Sequence, residues 1–148
     1  MLEASRAAML VDDNEDDRFL AEQAWAEAGI RNRLISVDGG GRALDYLLGV
    51  GEYADRAKHP LPAFILLDIK MPGVSGFDVL SRVRAEPKVR SLPVLMLTAS
   101  TSPSDVDEAH RLGANGFFIK PSSVEELVQL FSAINGCWLK FNQFPDLV

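Results

Sequence analysis

Four short apolar runs, each ending in a polar residue and separated by helix-like stretches, constrain this chain more than any other feature. They are Ala8-Met9-Leu10-Val11, Phe64-Ile65-Leu66-Leu67, Val94-Leu95-Met96-Leu97 and Phe117-Phe118-Ile119. The residues that follow them are Asp12 and Asp13, then Asp68, then Thr98, then Lys120. A continuously apolar run of this length suits a strand covered on both faces, and alternation with helical patterns points to a parallel sheet. Parallel strands would bring all five side chains to one carboxyl edge, where open α/β sheets bind ligands.

A weaker run, Leu34 to Val37, reads as an edge strand, giving five strands and five helices. Phe19, Leu20, Ala24, Trp25 and Ala28 recur at helical spacing after the first run, with Gly29 placed to end that helix. Asp38-Gly39-Gly40-Gly41 reads as a turn before a short helix from Ala43 to Leu48. Gly49 to Pro62 is loop-like. A third helix is marked by Phe77, Leu80 and Val83. A fourth is opened by Ser102-Pro103-Ser104-Asp105, and a fifth carries Leu127, Val128, Phe131 and Ile134. The expected class is α/β: a flavodoxin-like, doubly wound five-stranded parallel sheet of order 2-1-3-4-5. Its switch point falls between strands 1 and 3, the strands ending in Asp12-Asp13 and Asp68.

At 148 residues the chain reads as one domain, with a core over about residues 7–134 and an extension over 135–148. The net charge of −6 and the lack of a basic run argue against nucleic-acid binding. No run approaches the length that spans a bilayer, and Met1 to Ala7 lacks an apolar signal core, so a cytoplasmic protein is expected. The single Cys137 fits a reducing compartment.

Three carboxylates in one cleft repel one another unless a cation intervenes, and Mg²⁺ (or Mn²⁺) suits an all-oxygen set. Asp13 is the first choice as a direct ligand, with Asp12 beside it. Asp68 is central and could attack phosphorus to form an aspartyl phosphate. Thr98 could donate to a phosphoryl oxygen, and Lys120 could neutralise it or pair with Asp68 in its absence. His59 and His110 read as solvated bystanders. Gly39-Gly40-Gly41 lacks the Lys-Ser/Thr of a phosphate-binding loop. Asp68-Ile69-Lys70 lacks the second acid of an Asp-x-Asp phosphatase, and the acidic loop after strand 1 would repel a flavin phosphate.

The set Leu10-Val11-Asp12-Asp13, Leu67-Asp68-Ile69-Lys70-Met71-Pro72-Gly73, Leu97-Thr98-Ala99 and Lys120-Pro121 resembles a bacterial response-regulator receiver domain over about Ala7 to Ile134. The resemblance implies that Asp68 accepts a phosphoryl group from a phosphohistidine of a sensor kinase. It implies a metal held by Asp12, Asp13, Asp68 and the backbone carbonyl of Lys70, and a cis Lys120–Pro121 bond. It makes Phe117 the switch aromatic, coupled to Thr98, with a purely steric signal because Phe lacks a hydroxyl. It assigns Lys70 and Ser100 to tuning the phosphate lifetime. Such a protein assists its own phosphorylation and dephosphorylation and has no separate substrate, so it is not an enzyme in the usual sense.

With no room for an output domain, the chain is expected to act alone by switching protein contacts. The alternatives are a phosphorylation-independent binding module, or a phosphate sink or relay intermediate. The loop at Gly51-Glu52-Tyr53-Ala54 and the tail at Trp138-Leu139 resemble the small receivers paired with bacterial phytochrome kinases. That resemblance implies a homodimer through the fourth helix, fifth strand, fifth helix and tail. Asn135 to Pro145 is rich in aromatics and is expected to form an interface, with back-packing on the core as the other reading; Gly136 is expected to break the last helix.

Overall fold

The computed structural model describes residues 6–144. Met1–Ser5 and Pro145–Val148, which include the ends of the expected domain and the last residue of the aromatic tail, lie outside the described residues. The strands are β1 (Ala8–Val11), β2 (Leu34–Val37), β3 (Phe64–Leu67), β4 (Val94–Thr98) and β5 (Gly116–Ile119). The helices are α1 (Glu15–Glu27), α2 (Gly40–Leu48), α3 (Gly76–Ala85), α4 (Pro103–Arg111) and α5 (Val124–Ile134). All pairings are parallel and the order is β2-β1-β3-β4-β5, as the crossover argument requires.

Alternation of side chains along each strand divides the core in two. Met9, Val11, Ile65, Leu67, Val94 and Met96 face α2, α3 and α4, where Tyr46, Leu47, Leu80 and Val83 meet them. Leu10, Phe64, Leu66, Leu95 and Leu97 face α1 and α5, meeting Trp25, Leu127 and Phe131. Trp25 and Phe131 lie edge to face at 5.4 Å, and the Trp25 indole N–H donates to the Asn32 carbonyl at 2.8 Å, so its one polar atom is satisfied. Val11 pairs with Leu67 in the register, so the next residues, Asp12 and Asp68, emerge side by side.

Three local expectations are corrected. The second helix begins at Gly40 rather than Ala43, so Gly40 and Gly41 form its first turn instead of a separate loop. The reason lies in packing: a Cβ on Gly40 would meet the Val74 carbonyl oxygen at 2.5 Å, so the glycine admits the loop before α3. Gly136 does not stop the last helix. The chain continues through Asn135–Lys140 in a wider π-type turn, closed by the Phe141 amide donating to the Gly136 carbonyl at 3.1 Å. That turn buries Leu139 and lays Trp138 and Phe144 on the α1/α5 side of the core, while Phe141 remains 73% exposed. Most of the aromatic tail therefore packs back. His59 is not free in solvent: it is half-buried, edge-on to Tyr46 at 5.6 Å and to Tyr53 at 5.1 Å. His110 is exposed, with Nδ1 2.9 Å from the Val106 carbonyl. No helix among the described residues is long and apolar enough to cross a membrane.

Candidate functional site

Each site residue reaches the carboxyl edge because its strand ends there. Asp12 follows β1 and is 2% exposed; Asp13, one residue on, is exposed. Asp68 follows β3 and is 8% exposed, and Thr98 closes β4 at 1%. One carboxylate oxygen from each of Asp12, Asp13 and Asp68 lies within 4.8 Å of the other two. Three acids at that spacing, with the inner two buried, form a pocket suited to a divalent cation, which prefers oxygen ligands. The acidic triad expected from the sequence is thus assembled.

Lys120, just past β5, projects into the same pocket with 18% of its side chain exposed. Its ammonium lies 2.7 Å from Asp12 Oδ2, 2.8 Å from Asp17 Oδ2 and 3.1 Å from Asp68 Oδ2. The ammonium thus donates hydrogen bonds to Asp17 and Asp68 and forms an ion pair with Asp12. Burial alone would lower the Lys120 pKa, but the carboxylates of Asp12 and Asp17 beside it outweigh burial and hold the ammonium well above its ordinary value. Burial raises the Asp12 carboxyl above the usual range, opposed by its bonds to Lys120 and to the Asn14 amide.

The remaining bonds fix orientation. Asp12 Oδ1 accepts from the Asn14 amide at 3.0 Å, and the Asp12 carbonyl accepts from Arg18 Nη1 at 2.8 Å. Asp68 Oδ1 accepts from the Ile69 amide at 2.8 Å. Gly76, at the start of α3, is pressed against this strand end: a Cβ there would run into the Asp68 carbonyl oxygen. Thr98 Oγ1 accepts from the Ser100 amide at 3.4 Å, which leaves the hydroxyl proton available. Ser100 donates to Asp105 of α4 and accepts from the Ser102 amide at 3.3 Å. Lys70 is exposed on the loop after β3. Phe117 is half-buried against the α2/α3/α4 side of the core.

Two findings depart from the sequence reading. The Lys120–Pro121 bond is trans, not cis. X-Pro bonds favour trans by a small margin, and the trans form already delivers the ammonium to all three carboxylates. The second is Asp17, a lysine partner that the sequence did not single out. It stands among Glu15 and Asp16 in the first turn of α1, where acids are expected for the helix dipole alone.

A doubly wound sheet thus carries three acids at its switch point, with a threonine and a lysine beside them on the same carboxyl edge. The response regulator receiver domain family matches residues 8–132, and the chain belongs to that family. It is 34% identical over 137 residues to the probable methanogenesis regulatory protein FilR2 of Methanothrix harundinacea, spanning 93% of this chain and 86% of that one. It is 29% identical over 140 residues to response regulator Rcp1 of Synechocystis, spanning 95% of this chain and 93% of Rcp1. The crystal structure of the Mn²⁺-bound form of Rcp1 superposes with a TM-score of 0.82, at 28% identity over 95% of this chain and 99% of that one. The phosphorylated cyanobacterial phytochrome response regulator RcpA gives 0.87, at 29% identity over 96% of this chain and 99% of that one.

Proposed function

We propose that this protein is a response regulator whose Asp68 takes a phosphoryl group from a phosphohistidine of a sensor kinase, in a reaction that depends on Mg²⁺ or Mn²⁺. The observation that carries the reading is the meeting of Asp12, Asp13 and Asp68 within 4.8 Å under the ammonium of Lys120. An Asp68 carboxylate oxygen attacks phosphorus, the P–N bond breaks, and the leaving imidazole keeps the electron pair and takes a proton. A divalent cation, held by Asp12, Asp13, Asp68 and the Lys70 carbonyl, would offset charge on the transferring group. Lys120 turns one N–H from Asp68 to a phosphoryl oxygen. Thr98 donates its free proton to another. Phe117, half-buried beside β4, turns inward as Thr98 shifts toward the phosphoryl group and changes the face formed by α4, β5 and α5. Lys70 and Ser100 flank the phosphoryl position and set the lifetime of the acyl phosphate.

The donor kinase belongs to the phytochrome class in this reading, supported by the likeness to RcpA and Rcp1. Phe19 and Leu20, 64% and 41% exposed on α1 beside the site, offer it an apolar surface. The chain acts as a single cytoplasmic receiver domain over residues 1–148, without a separate substrate, and binds neither nucleic acid nor membrane. A homodimer through α4, β5, α5 and the tail completes the reading; exposed Ile119 and Phe141 support it, at 53% and 73%. Sedimentation with and without phosphorylation tests the dimer, and a monomer at every concentration removes it.

The central test is phosphorylation by acetyl phosphate with Mg²⁺, read by intact-protein mass. Wild type is expected to gain one phosphoryl group and Asp68→Asn none. An unreactive wild type, or an Asp68→Asn variant that reacts equally, overturns the reading.

A further inference from the structure

Asp17 occupies the N3 position of α1, where an acid commonly folds back onto the N-cap amide. Here that amide is already taken, because Asn14 N–H donates to Asp12 Oδ1 at 3.0 Å. Asn14 still caps the helix by accepting from the Asp17 amide at 2.9 Å. The Asp17 carboxylate is therefore released from local duty and reaches Lys120, 103 residues away in sequence, at 2.8 Å.

Of the three carboxylates around Lys120, Asp12 and Asp68 also belong to the acid cluster and Asp17 does not. A cation entering that cluster must share Asp12 and Asp68 with an ammonium already seated on them. Like charges at hydrogen-bonding distances repel, so the ammonium has to give way. Asp17 is the partner it can keep.

We propose that Asp17 is a positioning residue that holds Lys120 off Asp12 and Asp68 when the divalent cation binds, so that both positive charges occupy one site. Without this holding point the ammonium competes with the cation for the same two oxygens. The proposal rests on the phosphoacceptor reading above, since it assumes that the acid cluster is a metal site.

The test is Mg²⁺ titration calorimetry at fixed ionic strength on the full chain. Asp17→Asn is expected to weaken Mg²⁺ binding about three- to fivefold, the scale of a partly exposed ion pair. Asp17→Glu keeps the carboxylate and is expected to restore the affinity. Asp16→Asn removes an equal charge from the same turn and reports the long-range electrostatic contribution, expected to be smaller. In a Lys120→Met background the effect of Asp17→Asn is expected to fall to that of Asp16→Asn, because no ammonium is left to hold. An unchanged affinity in Asp17→Asn, or an equal loss with and without Lys120, overturns the proposal. Acetyl phosphate kinetics on the same variants separate it from the reading beneath it. The proposal expects Asp17→Asn to need more Mg²⁺ than wild type for half-maximal rate. A wild type that binds no Mg²⁺ overturns both, whereas a wild type that binds and reacts alongside an Asp17→Asn of equal affinity overturns this proposal alone.

Discussion

The starts of α1 and α3 are built to one local plan and put to different uses. Each opens with a capping side chain that accepts from the N3 amide, Asn14 from Asp17 at 2.9 Å and Ser75 from Asp78 at 3.2 Å. Each has aspartate at N3. In α3 the box closes, with the Ser75 amide donating to Asp78 Oδ2 at 3.0 Å. In α1 it stays open because Asp12 has claimed the N-cap amide, and Asp17 turns to the ammonium instead. One displaced hydrogen bond converts a stabilising local motif into a connection to the site. It follows that substitutions at the two helix starts should separate stability from site chemistry.

The largest effect is expected on the α1 side, from Lys120→Met. It leaves Asp12, Asp17 and Asp68 without their shared cation, and losing one member of a buried charged set costs about 3 kcal/mol. Urea unfolding without metal should show that loss, and Mg²⁺ should recover part of it; equal stability in metal-free buffer would contradict this account of the site. Gly76→Ala comes next, on the α3 side. Its Cβ would run into the Asp68 carbonyl, so strand end and helix start must separate, at about 2 kcal/mol. Acetyl phosphate kinetics should slow with it, since Asp68 moves; full activity would show that the loop gives way elsewhere.

Ser75→Ala removes a cap that does nothing further and should cost about 1 kcal/mol by thermal or urea unfolding. Its phosphorylation rate is expected to match wild type, and a slower rate would mean that α3 also feeds the site. Asp17→Asn is the smallest in stability, within ~0.5 kcal/mol, because the pair with Lys120 is partly exposed and Asn14 keeps its capping bond. A loss as large as that of Ser75→Ala would mean that both aspartates are structural and would erase the contrast.

The strands and the acid cluster were legible because each depends on adjacent residues: an apolar run declares a strand, and the polar residue after it is carried to the sheet edge. Asp12, Asp13, Asp68, Thr98 and Lys120 all follow that rule. Asp17 does not. Its role depends on Asp12 taking the Asn14 amide and on β5 delivering Lys120, neither of which is local information. The only signal in the sequence is an acid three positions after a capping asparagine, and that pattern more often means a closed box. The start of α2 was hidden for a similar reason. Glycines read as a turn until the approach of Val74 shows what their missing side chains make room for. Gly136 was overruled by the burial of Leu139 three residues later. The trans Lys120–Pro121 bond was misjudged because it was inferred by family likeness, while local sequence permits either isomer.

The guanidinium of Arg6 lies over the Phe144 ring at 4.1 Å, at the end of the sheet away from the acids. Since β1 begins two residues after Arg6, the outermost described positions of the chain meet there. A short peptide bridge between them would close the backbone into a loop, and a circular permutant could then be reopened at the exposed Gly51–Glu52 segment. Fluorescent reporters spliced in at that seam would sit on the far side of the molecule, leaving the phosphorylation chemistry unobstructed.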